Sequence, residues 1–545
     1  MILEHGRLNV FVAFAAALLA SVFAGSASQA AEAPPRADVL IHGGLVYTGE
    51  DAEPRILDVV LAGDTIAYVG EDAAARFEAA RTIEAQGAIV APGFIDPHTH
   101  PDTYIRSQDR AQRRNAPWLM QGVTTIAIGV DGGGSFEVAK QRAWFEKQGV
   151  GTNLALYVGF SSVRQSVLGE QSRAPTVEEL ASMRQLVAHA MCQGAFGFST
   201  GLFYAPQSFA STDEVVALAH EAAIRGGLYD THQRDESSYG IGLLNSTREA
   251  IDIGRRAGMP VHIAHLKALG MDVRGKSQDL VSMIEAAQAS GLHVTADQYP
   301  YLASGSSLQA SLLPRWSVDG GRKALLARLD DPATLQRIRT EMRENLRRRG
   351  GPQSLLFNST GHPWSGKTLA AMAAFWKFDP VDAALRVIRE ADDEKADAVT
   401  SFNMDPQDVE LLMRQPWIVT GSDGSDGHPR QYATFAEKYA KYVQHDHVLT
   451  TTEFIRRSTG LTADILELER RGYLRPGNFA DVVVLDPSGY RPKADYLHPK
   501  VLSEGVLYLW VNGKLAVDAG KMTDALAGRV LSHVPTSGTC RSIKP

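Results

Sequence analysis

Two histidines at positions 98 and 100 end the stretch Pro92-Gly-Phe-Ile-Asp-Pro-His-Thr-His100, which follows an apolar run typical of a strand. Side chains two residues apart on a strand point to the same side, so these imidazoles form a chelating pair. Neutral imidazole is a common protein ligand for zinc and similar metals. Two solvated histidines in a loop are the alternative, and the choice depends on ligands elsewhere in the chain.

Four more residues with ligand chemistry, Asp131, His232, His265 and Asp423, come directly after apolar runs. Histidines from three predicted strand ends, together with two carboxylates, favour a metal site over scattered polar residues. The predicted metal ligands are therefore His98, His100, Asp131, His232, His265 and Asp423.

This set of ligands predicts hydrolytic chemistry. A divalent cation with an open coordination position makes hydroxide available near neutral pH and polarises a neighbouring carbonyl. A carboxylate beside it can take the proton from the attacking water and return it to the leaving nitrogen. Asp423 is placed for that role, so we predict that it is the catalytic residue in the hydrolysis of an amide-like bond.

The remaining histidines are interpreted differently. His262 precedes His265 by three residues on the same predicted strand, so it points elsewhere and is expected to be structural. His189 and His220 fall within predicted helices and are expected to be solvated. His428 lies in the loop after the last predicted strand, where a structural and a functional role are both compatible with the sequence.

The centre of the chain alternates helix-like segments with apolar runs. Four glycines that end helix-like segments, Gly194, Gly226, Gly258 and Gly291, are spaced by about 32 residues, the length of one βα unit. The pattern Ser/Thr-x-x-Glu at positions 176, 211 and 246 predicts helix starts. Eight strand candidates predict an α/β fold of the (β/α)8 TIM-barrel class, with the active site at the C-terminal strand ends. The candidates are 94–95, 123–128, 153–160, 195–199, 228–231, 261–264, 293–296 and 417–420.

Both ends of the chain carry short alternating apolar runs separated by glycine turns, which indicate antiparallel strands. We expect residues 37–90 and 472–535 to form one small β-sandwich domain beside a barrel that spans 91–471. The connection between the seventh and eighth barrel strands is too long for a simple loop. It contains helix candidates, so we predict an inserted lid over the barrel mouth at about 303–395.

The first thirty residues are typical of a secretory signal peptide. Arg7 supplies a positive charge, Val10 to Ala24 is apolar, and Ser28 to Ala30 resembles a small-x-small cleavage site. The apolar run is shorter than the ~20 residues of a membrane-spanning helix. We therefore expect removal of residues 1–30, export to the periplasm or the outside, and no stable membrane insertion.

The composition is that of a soluble globular protein, with 44% hydrophobic and 21% charged residues. A net charge of −7 argues against nucleic acid as a partner and leaves a small-molecule substrate and any oligomeric state open. Two cysteines exclude a disulfide framework. One bridge between them is possible, but we favour Cys192 as a buried core residue and Cys540 as a free thiol.

Several longer motifs lie between Pro92 and Asp481, within a pattern that extends from about residue 37 to beyond 510. They are Pro92 through His100, Gly122-Val-Thr-Thr125, Gly194 through Pro206, Thr231-His-Gln-Arg-Asp-Glu236, Asp297-Gln-Tyr-Pro-Tyr301, Gly421-Ser-Asp-Gly424 with His428-Pro-Arg430, and Leu474 through Asp481. Together they resemble the amidohydrolase superfamily, and within it the N-acyl-D-amino-acid deacylases, or D-aminoacylases. The pairing of Gly-Ser-Asp with His-Pro-Arg is the more specific of these motifs.

The resemblance implies one or two zinc ions and hydrolysis of an N-acyl amide beside a D-configured carbon that bears a carboxylate. It also implies that Lys267, Tyr299 and Arg430 bind that carboxylate, which suits the charge of lysine and the fork of arginine. One position departs from the family pattern. Asp131 stands where D-aminoacylases carry a metal-binding cysteine, and carboxylate is a harder ligand than thiolate. A turn-capping role without metal is the alternative for Asp131.

Three other functions are compatible with parts of the pattern. An exported dipeptidase or another N-acyl amino acid hydrolase would use the same site on a different substrate. A cyclic-amide hydrolase is disfavoured, because the fourth strand ends in Ser199-Thr-Gly201 without the lysine that bridges two metals in those relatives. A metal-free binding protein on the same barrel would have no need of both the histidine set and Asp423.

Overall fold

The computed structural model describes residues 34–359, 361–391 and 396–541. The predicted signal peptide, at 1–30, lies outside the described residues. Within the described ranges, no helix combines the length and the apolar character needed to cross a membrane.

The first part of the described chain is a group of strands joined by tight turns. A meander of three antiparallel strands is followed by two strands that pair in parallel with the first. The first strand continues through Gly43, with only a register shift between Ile41 and Gly44. The strands are β1 (Arg36–Val46), β2 (Arg55–Ala62), β3 (Thr65–Gly70), β4 (Glu78–Glu84) and β5 (Ile89–Pro92).

The predicted strands of the central region are present and parallel. They pair in the order β6-β7-β8 and β9-β10-β11-β12-β13, and only Tyr157 separates β8 from β9. Every residue of β7 is buried, which fits its sequence of β-branched and apolar residues, since parallel strands are covered on both faces. The strands are β6 (Phe94–Asp96), β7 (Val123–Ile128), β8 (Asn153–Leu156), β9 (Val158–Gly159), β10 (Gly197–Gly201), β11 (Leu228–His232), β12 (Val261–Ile263) and β13 (Val294–Gln298).

Helices alternate with these strands. At Thr176 and Glu179 the predicted capping box is present in full, with each side chain bonded to the other residue's backbone. The prediction of a helix start at Ser246 is wrong, because the helix begins earlier and the Ser246 hydroxyl accepts a hydrogen bond from the Asp235 amide at 2.8 Å. The helices up to β13 are Ala73–Arg76, Asp102–Ile105, Arg110–Arg113, Ala116–Leu119, Val138–Gln148, Phe160–Leu168, Val177–Cys192, Thr212–Ala223, Leu243–Ala257 and Ser277–Ala289.

The long connection after β13 folds around its own apolar core, which includes Leu308, Ile338, Trp364 and Leu385. Its three strands form an antiparallel sheet in the order β14-β16-β15. They are β14 (Ala303–Ser307), β15 (Leu355–Phe357) and β16 (Ala398–Phe402). The helices are Leu308–Leu312, Gly321–Asp330, Pro332–Arg348, Leu369–Trp376 and Pro380–Glu390. We call residues 303–402 the insert.

The last parallel strand, β17 (Ile418–Thr420), lies beside β13. A parallel bridge between Thr99 and Gly424 then joins the chain after β17 to the chain after β6. The strand ends that carry the predicted ligands therefore face one another. The helices around β17 are Pro406–Met413, Arg430–Glu437, Thr451–Ser458 and Gly460–Ile465, with a π-helical segment at Lys438–His445.

The two ends of the described chain share one sheet. β18 pairs antiparallel with β5, so the N-terminal and C-terminal strands join in a nine-stranded sheet. The turn at Asn512-Gly513 links β19 to β20, and both of its residues adopt positive φ. The strands are β18 (Val482–Leu485), β19 (Val506–Val511), β20 (Lys514–Asp518) and β21 (Lys521–Met522).

The prediction for the cysteines is wrong, because Cys192 and Cys540 form a disulfide. The C-terminal tail runs back along the N-terminal ends of the parallel strands. The His533 amide donates to the Gly194 carbonyl at 3.1 Å, and the Thr536 amide donates to the Arg225 carbonyl at 3.3 Å. Backbone hydrogen bonds of this kind leave no periodic pattern in the sequence, so the docking of the tail could not be predicted.

We expect Cys192→Ser to lower the free energy of unfolding by about 2–4 kcal/mol, because the bridge constrains the unfolded chain. Denaturant unfolding with and without reductant measures this loss. Cys540→Ser should cause the same loss, and the double variant no more. Two reactive thiols in the unreduced, native protein would contradict the bridge.

Candidate metal centre and active-site cavity

The six predicted ligand residues converge at the C-terminal ends of the strands. Asp131 lies at the centre of the group. Its carboxylate oxygens are 3.3 Å from His98 Nε2, 3.6 Å from His100 Nε2, 3.6 Å from His232 Nδ1 and 3.8 Å from His265 Nε2. All four imidazoles therefore share one carboxylate as a neighbour.

Asp423 is the second carboxylate of the group. Its Oδ1 is 3.2 Å from His100 Nε2 and 3.9 Å from His98 Nε2. Three sets of side chains have ligand atoms within 4.8 Å of one another. They are His98 with His265 and Asp423, His98 with His100 and Asp131, and Asp131 with His232 and His265. Asp131 belongs to two of these sets, so the geometry fits either one cation or two with a shared carboxylate.

The donor atoms fit a cation rather than a closed hydrogen-bond network. Neither ring nitrogen of His98 or His232 has a hydrogen-bond partner among the described residues, although both rings are buried. Buried polar atoms without partners carry a large desolvation cost, so such atoms call for an explanation such as an ion or water. Imidazole nitrogens and carboxylate oxygens in this arrangement suit zinc or a similar divalent metal.

The backbone at three ligands adopts a conformation that is uncommon for residues with side chains. The angle φ is 53° at Asp131, 36° at His265 and 47° at Asp423. Non-glycine residues with positive φ are costly and are concentrated at functional sites. Glycine permits the close packing beside them, because a Cβ on Gly201 would lie 2.6 Å from the Asp131 carbonyl oxygen.

Glu236 is a site residue that the sequence analysis did not identify. Its Oε1 lies 3.1 Å from His265 Nδ1 and 2.6 Å from Lys267 Nζ, and its Oε2 lies 3.7 Å from His232 Nε2. A carboxylate behind a ligand histidine fixes the tautomer and orientation of the ring. The only indication in the sequence was that Glu236 lies four residues after His232. Acidic residues are common in loops for other reasons, so this spacing alone could not identify it as part of the site.

Buried acids beneath the centre hold the ligand loops in place. Asp96 accepts hydrogen bonds from Trp118 Nε1 and from the Ser422 amide, both at 2.9 Å, which fixes the chain next to Asp423. Burial raises the pKa of Asp96 to about 7 even though these bonds oppose the shift. Asp297 accepts from the His265 amide at 3.1 Å.

Asp230 and His262 are also buried below the ligands. Both oxygens of Asp230 lack a hydrogen-bond partner among the described residues, and burial raises the pKa of its carboxyl to about 6. His262 has its Nδ1 2.8 Å from Thr295 Oγ1 and its Nε2 3.1 Å from Asp297 Oδ2. Its ring nitrogens are thus engaged, as expected for a structural histidine.

The electrostatics of the centre favour charged carboxylates next to positive charge. Burial opposes a charge on Asp131, but His98 and His232 outweigh it and hold the pKa of its carboxyl well below the usual value. Burial also disfavours a charged His98, yet Asp131 raises the pKa of that ring to about 10. Arg430 and His265 likewise outweigh burial and lower the pKa of Asp423. Binding of a cation would release a proton from His98.

Lys267, Tyr299 and Arg430 lie together on the wall of one cavity. The Arg430 guanidinium carbon and Lys267 Nζ lie 5.2 Å and 5.6 Å from the centre of the Tyr299 ring. Tyr299 Oη is buried without a hydrogen-bond partner in the described part of the chain. Both cations already have carboxylate neighbours, since Arg430 Nη1 is 2.6 Å from Asp423 and Lys267 Nζ is 2.6 Å from Glu236.

The cavity has a volume of about 640 Å³ and reaches from the candidate metal centre to the insert. The candidate ligands His100, Asp131, His232 and Asp423 line its floor. The insert supplies another wall, which includes Ser304, Ser306, Arg349, Asn358, Asp397 and Val399. The aromatic rings of Phe203 and Tyr204 pack against His232, with ring centres 5.6 and 4.9 Å away.

The other histidines lie away from the ligand sets. His220 is exposed on its helix, and His189 is half-buried with its Nε2 next to Gln193. His428 is buried at the cavity, where its Nδ1 accepts from the Arg430 amide at 3.1 Å and its Nε2 lies 3.3 Å from the Ala303 carbonyl. It therefore connects the Arg430 loop to the start of the insert.

A sequence profile described as "Amidohydrolase family" matches residues 81–517, and the chain belongs to this family. The chain is 31% identical to a D-aminoacylase of Alcaligenes xylosoxydans xylosoxydans, over 91% of this chain and 98% of the relative. It is 30% identical to an N-acyl-D-aspartate deacylase of the same organism, over 92% of this chain and 96% of the relative. These similarities confirm the resemblance indicated by the motifs.

A solved structure of a deacylase is also similar to this chain. It is the N-acyl-D-glutamate deacylase from Bordetella bronchiseptica, complexed with zinc and with a phosphonate inhibitor that mimics the tetrahedral intermediate. The TM-score is 0.76 at 28% identity, and the match covers 91% of this chain and 100% of that chain. The amidohydrolase neighbours agree with an α/β domain of the TIM-barrel class.

We expect Asp131→Ala to lower the affinity for divalent metal at least about tenfold, because removal of a shared ligand should cost no less than loss of an outer partner. Elemental analysis of the purified protein, after dialysis against buffer containing graded zinc, measures the bound metal. His445→Ala is the matched control, since its side chain is 84% exposed and distant from the ligand sets. A metal content unchanged in Asp131→Ala would contradict the assignment.

Proposed function

We propose that this protein is a metal-dependent hydrolase that cleaves the amide bond of N-acyl-D-amino acids to give a carboxylate and a free D-amino acid. The observation that carries the proposal is the convergence of four histidines on Asp131, with Asp423 beside them at the floor of a cavity. The similarity to D-aminoacylases and related deacylases over nearly the whole chain supports this substrate class.

The proposed cofactor is zinc, as one or two ions. His98, His100, Asp131, His232, His265 and Asp423 would hold it. When bound, such a cation supplies a polarising charge for the amide carbonyl and lowers the pKa of water. Asp131 replaces the cysteine of the family pattern, so we expect the site to accept harder divalent metals more readily than a thiolate site would.

The residues of this chain contribute orientation and proton transfer. Asp423 faces the cavity and would accept the proton of the attacking water, then deliver it to the leaving nitrogen. Glu236 would keep His232 and His265 in the required orientation. The wall formed by the insert would exclude bulk water, which strengthens the electrostatic interactions inside.

The substrate carboxylate would bind to Lys267, Tyr299 and Arg430. The phenol of Tyr299 is a donor without a partner in the described chain, and the two cations flank its ring. Because Lys267 and Arg430 already contact Glu236 and Asp423, the substrate would join an existing charge network. Arg430 would then connect the bound carboxylate to Asp423.

We further propose the domain division that the sequence suggests. The two parallel sheets and the Thr99–Gly424 bridge support a closed (β/α)8 barrel within 91–471. The nine-stranded sheet of both chain ends supports a β-sandwich formed by 37–90 and 472–535. The separate core of the insert and its place on the cavity wall support a lid at about 303–395.

Export from the cytoplasm, to the periplasm or the outside, is also proposed. The signal-peptide pattern at 1–30 is the main argument, and the Cys192–Cys540 disulfide supports it, because such bonds persist mainly in oxidising compartments. Cell fractionation and N-terminal sequencing of the mature protein test this proposal. A cytoplasmic protein that begins at Met1 would refute it.

Paired assays of N-acetyl-D- and N-acetyl-L-amino acids test the proposed activity, with zinc, cobalt or manganese added to the metal-free protein. We expect hydrolysis of the D-series only, and only after a metal is restored. Cleavage of the L-series or of dipeptides, with the D-series intact, would replace this proposal by a peptidase activity.

Asp423→Asn should lower kcat by about 10²–10⁴-fold, the usual contribution of a positioned general acid–base group. The amide keeps the size of the side chain, so the circular dichroism spectrum should be unchanged. Metal content must be measured in the same preparation, because Asp423 also belongs to one ligand set. Turnover equal to that of the wild type would exclude Asp423 as the proton carrier.

A further inference from the structure

Arg349, which follows the helix Pro332–Arg348 of the insert, is a buried cation on the cavity wall. Its residue exposure is 2%. Its Nε donates to Tyr239 Oη, and its Nη1 lies 3.2 Å from Ser401 Oγ and 3.4 Å from Ser304 Oγ. All of these partners are neutral hydroxyl groups.

The other cations of the cavity differ from Arg349 in this respect. Lys267 and Arg430 each have a carboxylate at 2.6 Å. Two further acids line the cavity, but Asp426 is 2.7 Å from Lys500, and Asp397 accepts from the Gln309 amide at 2.9 Å. Among the described residues, none of the carboxylates lies within ion-pair distance of Arg349.

A second guanidinium lies near this wall, against the ring of Phe203, which lines the cavity. The guanidinium carbon of Arg315 lies 4.0 Å from the centre of the Phe203 ring, and its nitrogens donate to backbone carbonyls, at 2.8 Å for Ala310. Burial lowers the pKa of Arg315 to about 10, and the charge of Arg349 adds to that effect. Phe203 in turn stacks on His232, so the charged wall adjoins the metal centre.

A buried charge with only neutral partners is costly, whereas a bound anion would turn the same arrangement into a charge-assisted contact. We propose that Arg349 binds a second carboxylate of the substrate, so that the preferred substrates are N-acyl-D-amino acids with an anionic group besides the α-carboxylate. The hydroxyl groups of Tyr239 and Ser304 are further donors beside it. This inference rests on the proposed deacylase function.

The second carboxylate can come from the amino-acid side chain or from the acyl group, and paired substrates distinguish the two sources. N-acetyl-D-glutamate is compared with N-acetyl-D-glutamine, and N-succinyl-D-leucine with N-succinamoyl-D-leucine. Within each pair only a carboxylate is replaced by an amide of the same shape. We expect the charged member of at least one pair to have a kcat/KM about 100-fold higher, as for other buried charge pairs.

Arg349→Met should abolish this preference, mainly through KM, while the neutral members keep most of their kcat/KM. Arg349→Lys, which keeps the charge, should retain part of the preference. Arg343→Gln is the matched control, because Arg343 lies on the same helix with a side chain that is 51% exposed and 3.9 Å from Asp379, and it should leave the preference unchanged.

Each other outcome has a defined meaning. Equal cleavage of both members of both pairs by the wild type would overturn the inference and leave the proposed function intact. An equal loss for all four substrates in Arg349→Met would assign Arg349 to the fold of the insert or to the α-carboxylate, and would also overturn it. If the metal-loaded wild type cleaves none of the four, the proposed function itself fails.

Discussion

The contact between one carboxylate and four imidazoles is the interaction on which this structure depends. Asp131 lies within 3.3–3.8 Å of a nitrogen from each of the four histidines. A carboxylate in such a buried place is stable only next to positive charge, from protonated rings or from a cation. The parallel strands are the means by which residues more than a hundred positions apart reach this point.

The convergence of the six candidate ligands was predictable because strand ends in this fold face one another. Each apolar run marked a strand, so residues at or just beyond the ends of β6, β7, β11, β12 and β17 could be expected at one rim. The positions of Glu236 and Arg349 at the cavity could not be predicted from the sequence. Both depend on contacts that form only when the loops and the insert have folded. The prediction for the two cysteines failed for a related reason. The polar C-terminal tail docks through backbone hydrogen bonds, which leave no pattern of side chains in the sequence.

The supporting acids show how the centre is held in place. Asp96 and Asp297 fix the backbone next to Asp423 and His265, two ligands with positive φ. These hydrogen bonds offset part of the conformational cost at the ligand loops. Buried carboxylates below the metal centre are therefore part of its construction, even though they do not reach the cavity.

The insert folds around a core that is separate from the main apolar cluster of the chain. Substitutions on its cavity face can therefore accumulate without disturbing the candidate metal ligands, since effects at distant positions are nearly additive. In such an architecture, evolution can change the substrate preference through the insert while the residues at the strand ends stay the same. Divergence among related enzymes should then be greatest in this segment and least at the strand ends.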